Sequence, residues 1–190
     1  MKQVFSLLTI AFLSTTTFAQ TTWKVDPAHT QVSFGITHMG ISEVEGRFNQ
    51  FDGNITASNK DFSDAKYELT VEVPSIDTGV EMRDNHLKNA DFFDAEKYPK
   101  MTFKSTSSEK VGDNKYKVAG DLTFHGITKP VTLDVWYRGT IENPQNGDVI
   151  SGFAISGEVK RSDYNLGSGF PEAVLSDKVV IDVDGEFKKQ

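Results

Sequence analysis

Apolar and polar residues alternate with period two along most of this chain, the mark of β-strands that bury one face and solvate the other. Val32, Phe34, Ile36 and His38 share a face, with Gln31, Ser33, Gly35 and Thr37 between them. Val44, Gly46 and Phe48 form a second series, which Phe51, Gly53, Ile55 and Ala57 continue with opposite parity. A bulge or bend near Asn49 and Gln50 accounts for that slip. Tyr67, Leu69, Val71 and Val73 follow, then Met101 and Phe103, then Tyr116, Val118, Gly120, Leu122 and Phe124. Val131, Leu133, Val135 and Tyr137 come next, then Phe153, Ile155, Gly157 and Val159. Val179, Ile181, Val183, Gly185 and Phe187 close the chain. The pattern predicts eight strands, the second of them bent.

One segment breaks the rule. In residues 80–98 Met82, His86, Leu87 and Ala90 fall at helical spacing, and Pro99 bounds the stretch. This predicts a short helical insertion around residues 81–95. The rest is all-β. Eight antiparallel strands with one apolar face each make a sandwich or a closed barrel, and periodicity does not choose between them. An eight-stranded barrel either fills with its own side chains or holds one small ligand. Gly46, Gly53, Gly120, Gly157 and Gly185 fall on the inward faces. Such glycines leave room or permit sharp coiling, and both readings stand.

The first nineteen residues differ in kind. Lys2 precedes the apolar run of residues 4–13, and Thr17-Phe18-Ala19 follows a polar stretch. This is the pattern of a secretory signal peptide cleaved after Ala19. The run is well short of the roughly 20 residues a membrane span needs. Residues 20–190 then form one domain, placed in the periplasm or secreted. The 190 residues include no cysteine, which excludes disulfides, thiolate nucleophiles and cysteine metal sites. A formal net charge of -7 argues against nucleic acid as a partner and against attachment to an anionic bilayer. No stable membrane insertion is expected.

Several segments, in order, resemble one family. Val25-Asp26-Pro27-Ala28-His29-Thr30 leads into Val32, Phe34 and His38, then Gly46-Arg47-Phe48. Ile76-Asp77-Thr78-Gly79 precedes Arg83-Asp84-Asn85-His86-Leu87, Asp91-Phe92-Phe93-Asp94 and Tyr98-Pro99. Gly120-Asp121-Leu122-Thr123-Phe124-His125-Gly126 and Arg161-Ser162-Asp163-Tyr164 complete the set. The chain is similar in these to the YceI-like family of secreted, lipocalin-like barrels that bind polyisoprenoid lipids. The resemblance implies an eight-stranded antiparallel lipocalin-like barrel whose apolar bore holds one isoprenoid tail or a quinone-like ligand. Its lining would come from the inward series: Phe34, Ile36, His38, Phe48, Leu69, Val71, Phe103, Leu122 and Phe124. Leu133, Val135, Phe153, Ile155, Ile181 and Val183 continue it, with Leu87, Phe92 and Phe93 from the helical insertion.

The polar candidates are few. Arg83 and His86 lie three residues apart on the predicted helix, at one barrel mouth, where a guanidinium suits phosphate oxygens or a quinone carbonyl. Arg161 is a third headgroup candidate. The competing reading pairs Arg83 with Asp84 or Asp94, and Arg161 with Asp163. None of His29, His38, His86 and His125 forms an HxH, HxxxH or HExxH spacing. His29 reads as turn chemistry and His125 as part of a hairpin connection. No nucleophile elbow or phosphate-binding glycine loop is present. The expectation is a non-catalytic carrier without metal or cofactor. A packed-bore stress-response module, a carrier of fatty acids or amides, and a hydrolase or metal-dependent enzyme using His86 with a distant His or Asp are the alternatives, and a homodimer is left open.

Overall fold

The structure is a computed structural model and describes residues 19–190; the predicted leader, apart from Ala19, lies outside the described residues. Ten strands form one sheet. These are β1 (Thr21–His38), β2 (Ser42–Phe48), β3 (Phe51–Ala57), β4 (Lys66–Glu72) and the two-residue β5 (Ile76–Asp77). After one helix, α1 (Glu81–Leu87), come β6 (Lys100–Gly112), β7 (Lys115–Phe124), β8 (Ile127–Glu142), β9 (Val149–Lys160) and β10 (Leu175–Lys189). The order is β10-β9-β8-β7-β6-β4-β3-β1-β2-β5, and β10 also pairs with β1. That last pairing closes the sheet.

β2 and β3 behave as one bent strand. β2 lies against the second half of β1, from Val32↔Phe48 to His38↔Ser42. β3 lies against its first half, from Thr21↔Ala57 to Lys24↔Asn54. The break falls at Asn49 and Gln50, where the parity slips. Counted so, and with β5 set aside, eight antiparallel strands make a closed barrel. Closure satisfies the main-chain donors and acceptors that an open edge would leave bare.

Two parts depart from the alternation read off the sequence. β1 begins eleven residues before Val32, at Thr21. Its register with β10 slips between Val25 and Thr30. There Asp26 accepts from the Ala28 N–H at 2.9 Å and lies 3.0 Å from the His29 imidazole. The turn chemistry of His29 is thus a bulge inside a strand. The helical insertion is also shorter than residues 81–95. Only Glu81–Leu87 is helix, it buries none of its residues, and Met82 is 84% exposed. Residues 88–97 continue as turns.

The inward glycines neither leave an open bore nor merely coil the strands. At Gly120 an added Cβ would stand 2.5 Å from Cζ of Phe103, and at Gly53 it would stand 2.8 Å from the Glu68 carbonyl oxygen and 3.2 Å from Cδ1 of Leu69. The space a side chain would need is taken by a neighbouring strand, by its side chain at Gly120 and first by its main chain at Gly53.

One end of the barrel is filled by aromatic rings. The β3–β4 loop turns Phe62 inward, with φ at +60° and only 2% exposure. Its ring centroid lies 5.3 Å from Trp23, 4.7 Å from Tyr137 and 5.0 Å from Phe153. Phe153 in turn stands edge-on to Tyr67 and Phe187. Asp64 holds the loop by accepting from the N–H groups of Ser58 and Asn59 at 2.9 and 3.0 Å. The Tyr116 hydroxyl donates to the Asp61 carbonyl. On the outer face, cross-strand pairs such as Lys104–Glu68 and Lys100–Glu72 solvate the sheet. Exposed pairs of this kind contribute roughly 0.2–1 kcal/mol each.

Phe62→Ala removes the centre of the aromatic cluster and is expected to cost about 3–5 kcal/mol in urea unfolding; a loss below 1 kcal/mol would mean the loop is not a plug. The phenols of Tyr67 and Tyr164 are buried without a hydrogen-bond partner among the described residues. Burial pushes Tyr164 from its ordinary value of 10 to about 12 and raises Tyr67 as well. The folded state therefore holds these protons more tightly than the unfolded chain. The contribution of Tyr164 to stability is full below pH 10 and is lost as pH rises through about 12, and that of Tyr67 is lost at higher pH still. Ultraviolet titration should find both phenols still protonated at pH 11.

Candidate functional site

The half of the barrel away from Phe62 is hollow. A cavity of about 350 Å³ opens there, within the size range of small-molecule sites. The burial along single strands shows where it begins. On β10 the inward Val179 and Ile181 are only half-buried, whereas Val183, Gly185 and Phe187 are buried. On β1 Phe34, Ile36 and His38 are half-buried, whereas Trp23, Val25, Thr30 and Val32 are buried. Inward side chains in one half of the barrel border a cavity, and those in the other half close the bore against one another.

The strands supply one side of the wall: Phe34, Ile36, His38 and Val32 from β1, Val44 and Phe48 from β2, and Leu122 and Phe124 from β7. Met101, Val159, Val179 and Ile181 complete it. Two connections supply the other side. Chain 73–99 leaves the barrel after β4 and returns at β6, its base closed by the Val73 N–H donating to the Pro99 carbonyl at 2.8 Å. It brings Thr78, Arg83, His86, Leu87, Phe92 and Phe93 to the cavity. Chain 161–175 brings Arg161, Tyr164, Leu166, Phe170, Val174 and Leu175.

The two connections are clasped together. The Gly167 N–H donates to the Asp91 carbonyl at 3.0 Å. Gly167 sits at φ +56°, and a Cβ there would stand 2.7 Å from the Phe92 ring, so both backbone and space require glycine. Phe92 and Phe170 pack at 5.0 Å between ring centroids, and His86 stands edge-on to Phe92 at 5.1 Å. Arg161 is the strut. It is 7% exposed, and its five N–H donors all go to main-chain carbonyls. Nε donates to Ser176, Nη1 to Leu166 and Gly167, and Nη2 to Phe170 and Leu175, at 2.6–3.1 Å.

Arg83 is placed differently. Its Nε and Nη2 donate to the Thr78 hydroxyl and carbonyl, both at 2.7 Å. Thr78 is fixed in turn by its N–H and hydroxyl donating to Asp84, at 2.8 and 2.5 Å. Among the described residues Nη1 of Arg83 has no partner. β5 anchors this corner, because Asp77 accepts from Gly79, Arg47 and Asn49. The Gly79 N–H first, then Arg47 and Asn49, holds that carboxyl down to about 2. His38, Arg83 and His86 thus lie at the open end, and no Asp or Glu is among the described residues that line the cavity. Carboxylates stand just behind this end: Asp91 lies 3.6 Å from the His86 imidazole and Asp84 is bound to Thr78.

The structure therefore sorts the residues singled out from the sequence. Phe34, Ile36, His38, Phe48, Leu87, Phe92, Phe93, Leu122, Phe124 and Ile181 line the cavity together with Arg83, His86 and Arg161. Leu69, Val71, Phe103, Leu133, Val135, Phe153, Ile155 and Val183 do not; they pack the filled half or its boundary. None of the three ion pairs weighed for the arginines forms: Arg83 goes to Thr78 and Arg161 to carbonyls, so of the two only Arg83 keeps donors free among the described residues. Phe170 and Val174 were missed, since they lie in an aperiodic loop. Val159, Val179 and Leu175 continue strands already read, and parity alone could have found the first two. His125 lies 2.8 Å from the Tyr164 carbonyl through Nδ1 and packs on Tyr98, within its hairpin turn. Asp26, His29 and Glu186 bring their ligand atoms within 4.8 Å of one another at the surface and line no part of the cavity.

Comparison with known proteins agrees with this architecture. The model of the YceI-like domain matches residues 23–187. Protein YceI of Escherichia coli is 38% identical over 169 residues, 88% of this chain and 87% of that protein. A YceI protein of Campylobacter jejuni has a crystal structure that is similar with a TM-score of 0.74 at 32% identity, over 81% of this chain and 90% of that one. A polyisoprenoid binding domain from Saccharophagus degradans, implicated in plant cell wall breakdown, is similar with a TM-score of 0.64. Its identity is 17%, over 89% of this chain and 98% of that one, so this likeness concerns the fold.

Arg161→Lys tests the strut. Lysine keeps the charge but offers three donors in place of a planar fork of five, and each carbonyl left buried and unpaired costs about 1–3 kcal/mol. Hydrogen exchange should rise in residues 165–175 and leave β6–β8 unchanged; exchange equal to that of the parent chain would show that the carbonyls do not depend on the guanidinium.

Proposed function

The chain belongs to the YceI-like family, and we propose that it is a secreted, periplasmic, non-catalytic carrier that holds the apolar tail of an isoprenoid or similar lipid in the open half of its barrel. The observation that carries this reading is the division of the cavity: aliphatic and aromatic walls within, and the basic groups His38, Arg83 and His86 at one end. An amphiphile is divided in the same way. Burial of a tail contributes roughly 0.8 kcal/mol per methylene, and the free donors of Arg83 suit the oxygens of a phosphate or quinone headgroup. That a barrel of this fold is a polyisoprenoid binding domain in Saccharophagus degradans is consistent with the proposal.

The hydroxyls near the cavity support a carrier over a hydrolase. Ser33 donates to the Asp182 carbonyl at 3.2 Å, and Thr78 is held between Asp84 and Arg83. Neither is paired with an imidazole, as an activated nucleophile would be.

Native mass spectrometry of protein purified from its own cell envelope tests the carrier directly. We expect a polypeptide beginning at Gln20 with one lipid per chain, released on denaturation. A bare polypeptide from cells rich in isoprenoid lipids would overturn the proposal. Arg83→Ala is expected to weaken a pyrophosphate-headed tail roughly 10- to 100-fold, as loss of a charged hydrogen bond does. The same variant should leave the uncharged prenol of equal length unaffected. Equal losses for both ligands would make Arg83 a structural residue.

A further inference from the structure

We infer that Asp26, His29 and Glu186 form a binding site for one divalent transition-metal cation of the zinc or cobalt class, placed across the seam that closes the barrel. The site lies outside the cavity and does not rest on the carrier reading.

The seam itself assembles the three side chains. β1 and β10 pair from Trp23↔Lys189 to Val25↔Phe187, and pairing resumes at Thr30↔Gly185. Asp26, Pro27, Ala28 and His29 therefore stand opposite the single residue Glu186. A bulge re-aims the side chains it carries, and this one turns two of them toward Glu186. Nδ1 of His29 lies 3.0 Å from Oδ2 of Asp26 and 3.9 Å from Oε2 of Glu186. All three ligand atoms lie within 4.8 Å of one another.

Both acidic residues are held from behind. The Ala28 N–H donates to Oδ1 of Asp26 at 2.9 Å, which leaves Oδ2 turned to the imidazole. Thr30 fixes the main chain of Glu186: its hydroxyl accepts from the Glu186 N–H at 3.2 Å and donates to the carbonyl at 3.3 Å. Gly185 gives that hydroxyl its place, since a Cβ there would stand 2.4 Å from Oγ1 of Thr30.

Spacing, charge and donor type agree on the ligand. Zinc takes nitrogen and oxygen donors at about 2.0–2.2 Å, so donors sharing one ion stand about 3–3.5 Å apart. Asp26 and His29 already have that spacing, and the Glu186 side chain has about half an ångström to close. Among the described residues neither carboxylate pairs with a lysine or arginine, and the nearby Lys188 ammonium is engaged by Asp148. One imidazole offsets one negative charge at most; a dication offsets both. The imidazole nitrogen favours zinc or cobalt over calcium and magnesium, which take oxygen donors. Water would complete the coordination. Such an ion joins the first strand to the last, and since the unfolded chain does not hold these groups together, binding stabilises the closed barrel.

The test titrates the mature chain, untagged and freed of metal with a chelator, with Co2+ read by visible absorption, and then displaces it with Zn2+. One Co2+ should bind per chain. His29→Ala and Glu186→Gln should each weaken it about tenfold or more. Glu158→Gln, an exposed carboxylate paired with Lys178 on the outer wall, should bind as the parent does. Zn2+ should raise the Tm of the parent and of Glu158→Gln, but not of His29→Ala. Binding that saturates only at millimolar Co2+, or that persists in His29→Ala, would mean an adventitious ion only and would overturn the assignment. So would an equal rise in Tm with and without His29. The His29 and Glu186 side chains are 64% and 45% exposed, so both variants should fold. If one does not, the histidine signals of the parent chain decide in nuclear magnetic resonance: Zn2+ should shift His29 first, and equal shifts of all four histidines would overturn the site.

Discussion

The bore of an eight-stranded barrel is only just wide enough to be filled by its own side chains. Width is set by strand number and tilt, so this protein cannot hold a ligand by being wider. It can only leave part of the bore unfilled. Closure through the β1–β10 pairing imposes that limit on every inward residue. In one half Phe62, Phe153, Tyr67 and Phe187 meet across the axis, and in the other Phe34, Ile36, Val179 and Ile181 are only half-buried and border the cavity. The first half stabilises the fold, and the second is left free to bind. Glycines opposite large side chains let the packed half reach high density without widening the barrel, as the Gly120–Phe103 contact shows.

The open half needs walls that strands alone do not provide. β5 reaches only two residues along β2, so the chain between β4 and β6 covers that side with α1 and the Phe92-Phe93 turn. The connection between β9 and β10 covers the other. Arg161 joins these parts through carbonyls, not carboxylates, beside an apolar cavity. The same wall sets Arg83 at the mouth with donors to spare. Packing, main-chain hydrogen bonding and local charge therefore act together on one end of the molecule.

Much of the fold was legible in the chain. Period-two alternation marked seven strands in place, and the parity slip at Asn49-Gln50 located the bend between β2 and β3. The first half of β1 escaped because Asp26-Pro27-Ala28-His29 bulges out and breaks the alternation. Phe62 escaped because a lone aromatic in Lys60-Asp61-Phe62-Ser63-Asp64 has no periodic partner. The site was legible only by face. Parity tells that Phe34 and Phe153 both point inward, but not that one lies at the open level and the other at the packed level. That level depends on register, which the β1 bulge and the loops set. The five carbonyls around Arg161 leave no trace in side-chain chemistry, so its role could not be read at all.

The division of one bore into a packed half and a receiving half is the central claim, and methyl-resolved nuclear magnetic resonance tests it most directly. Titration with a three-unit prenol should shift the methyl signals of Val44, Leu122, Val159, Val179 and Ile181 and leave those of Val25, Ile55, Val118 and Val135 in place. Shifts spread equally over both groups, or confined to the second, would contradict it.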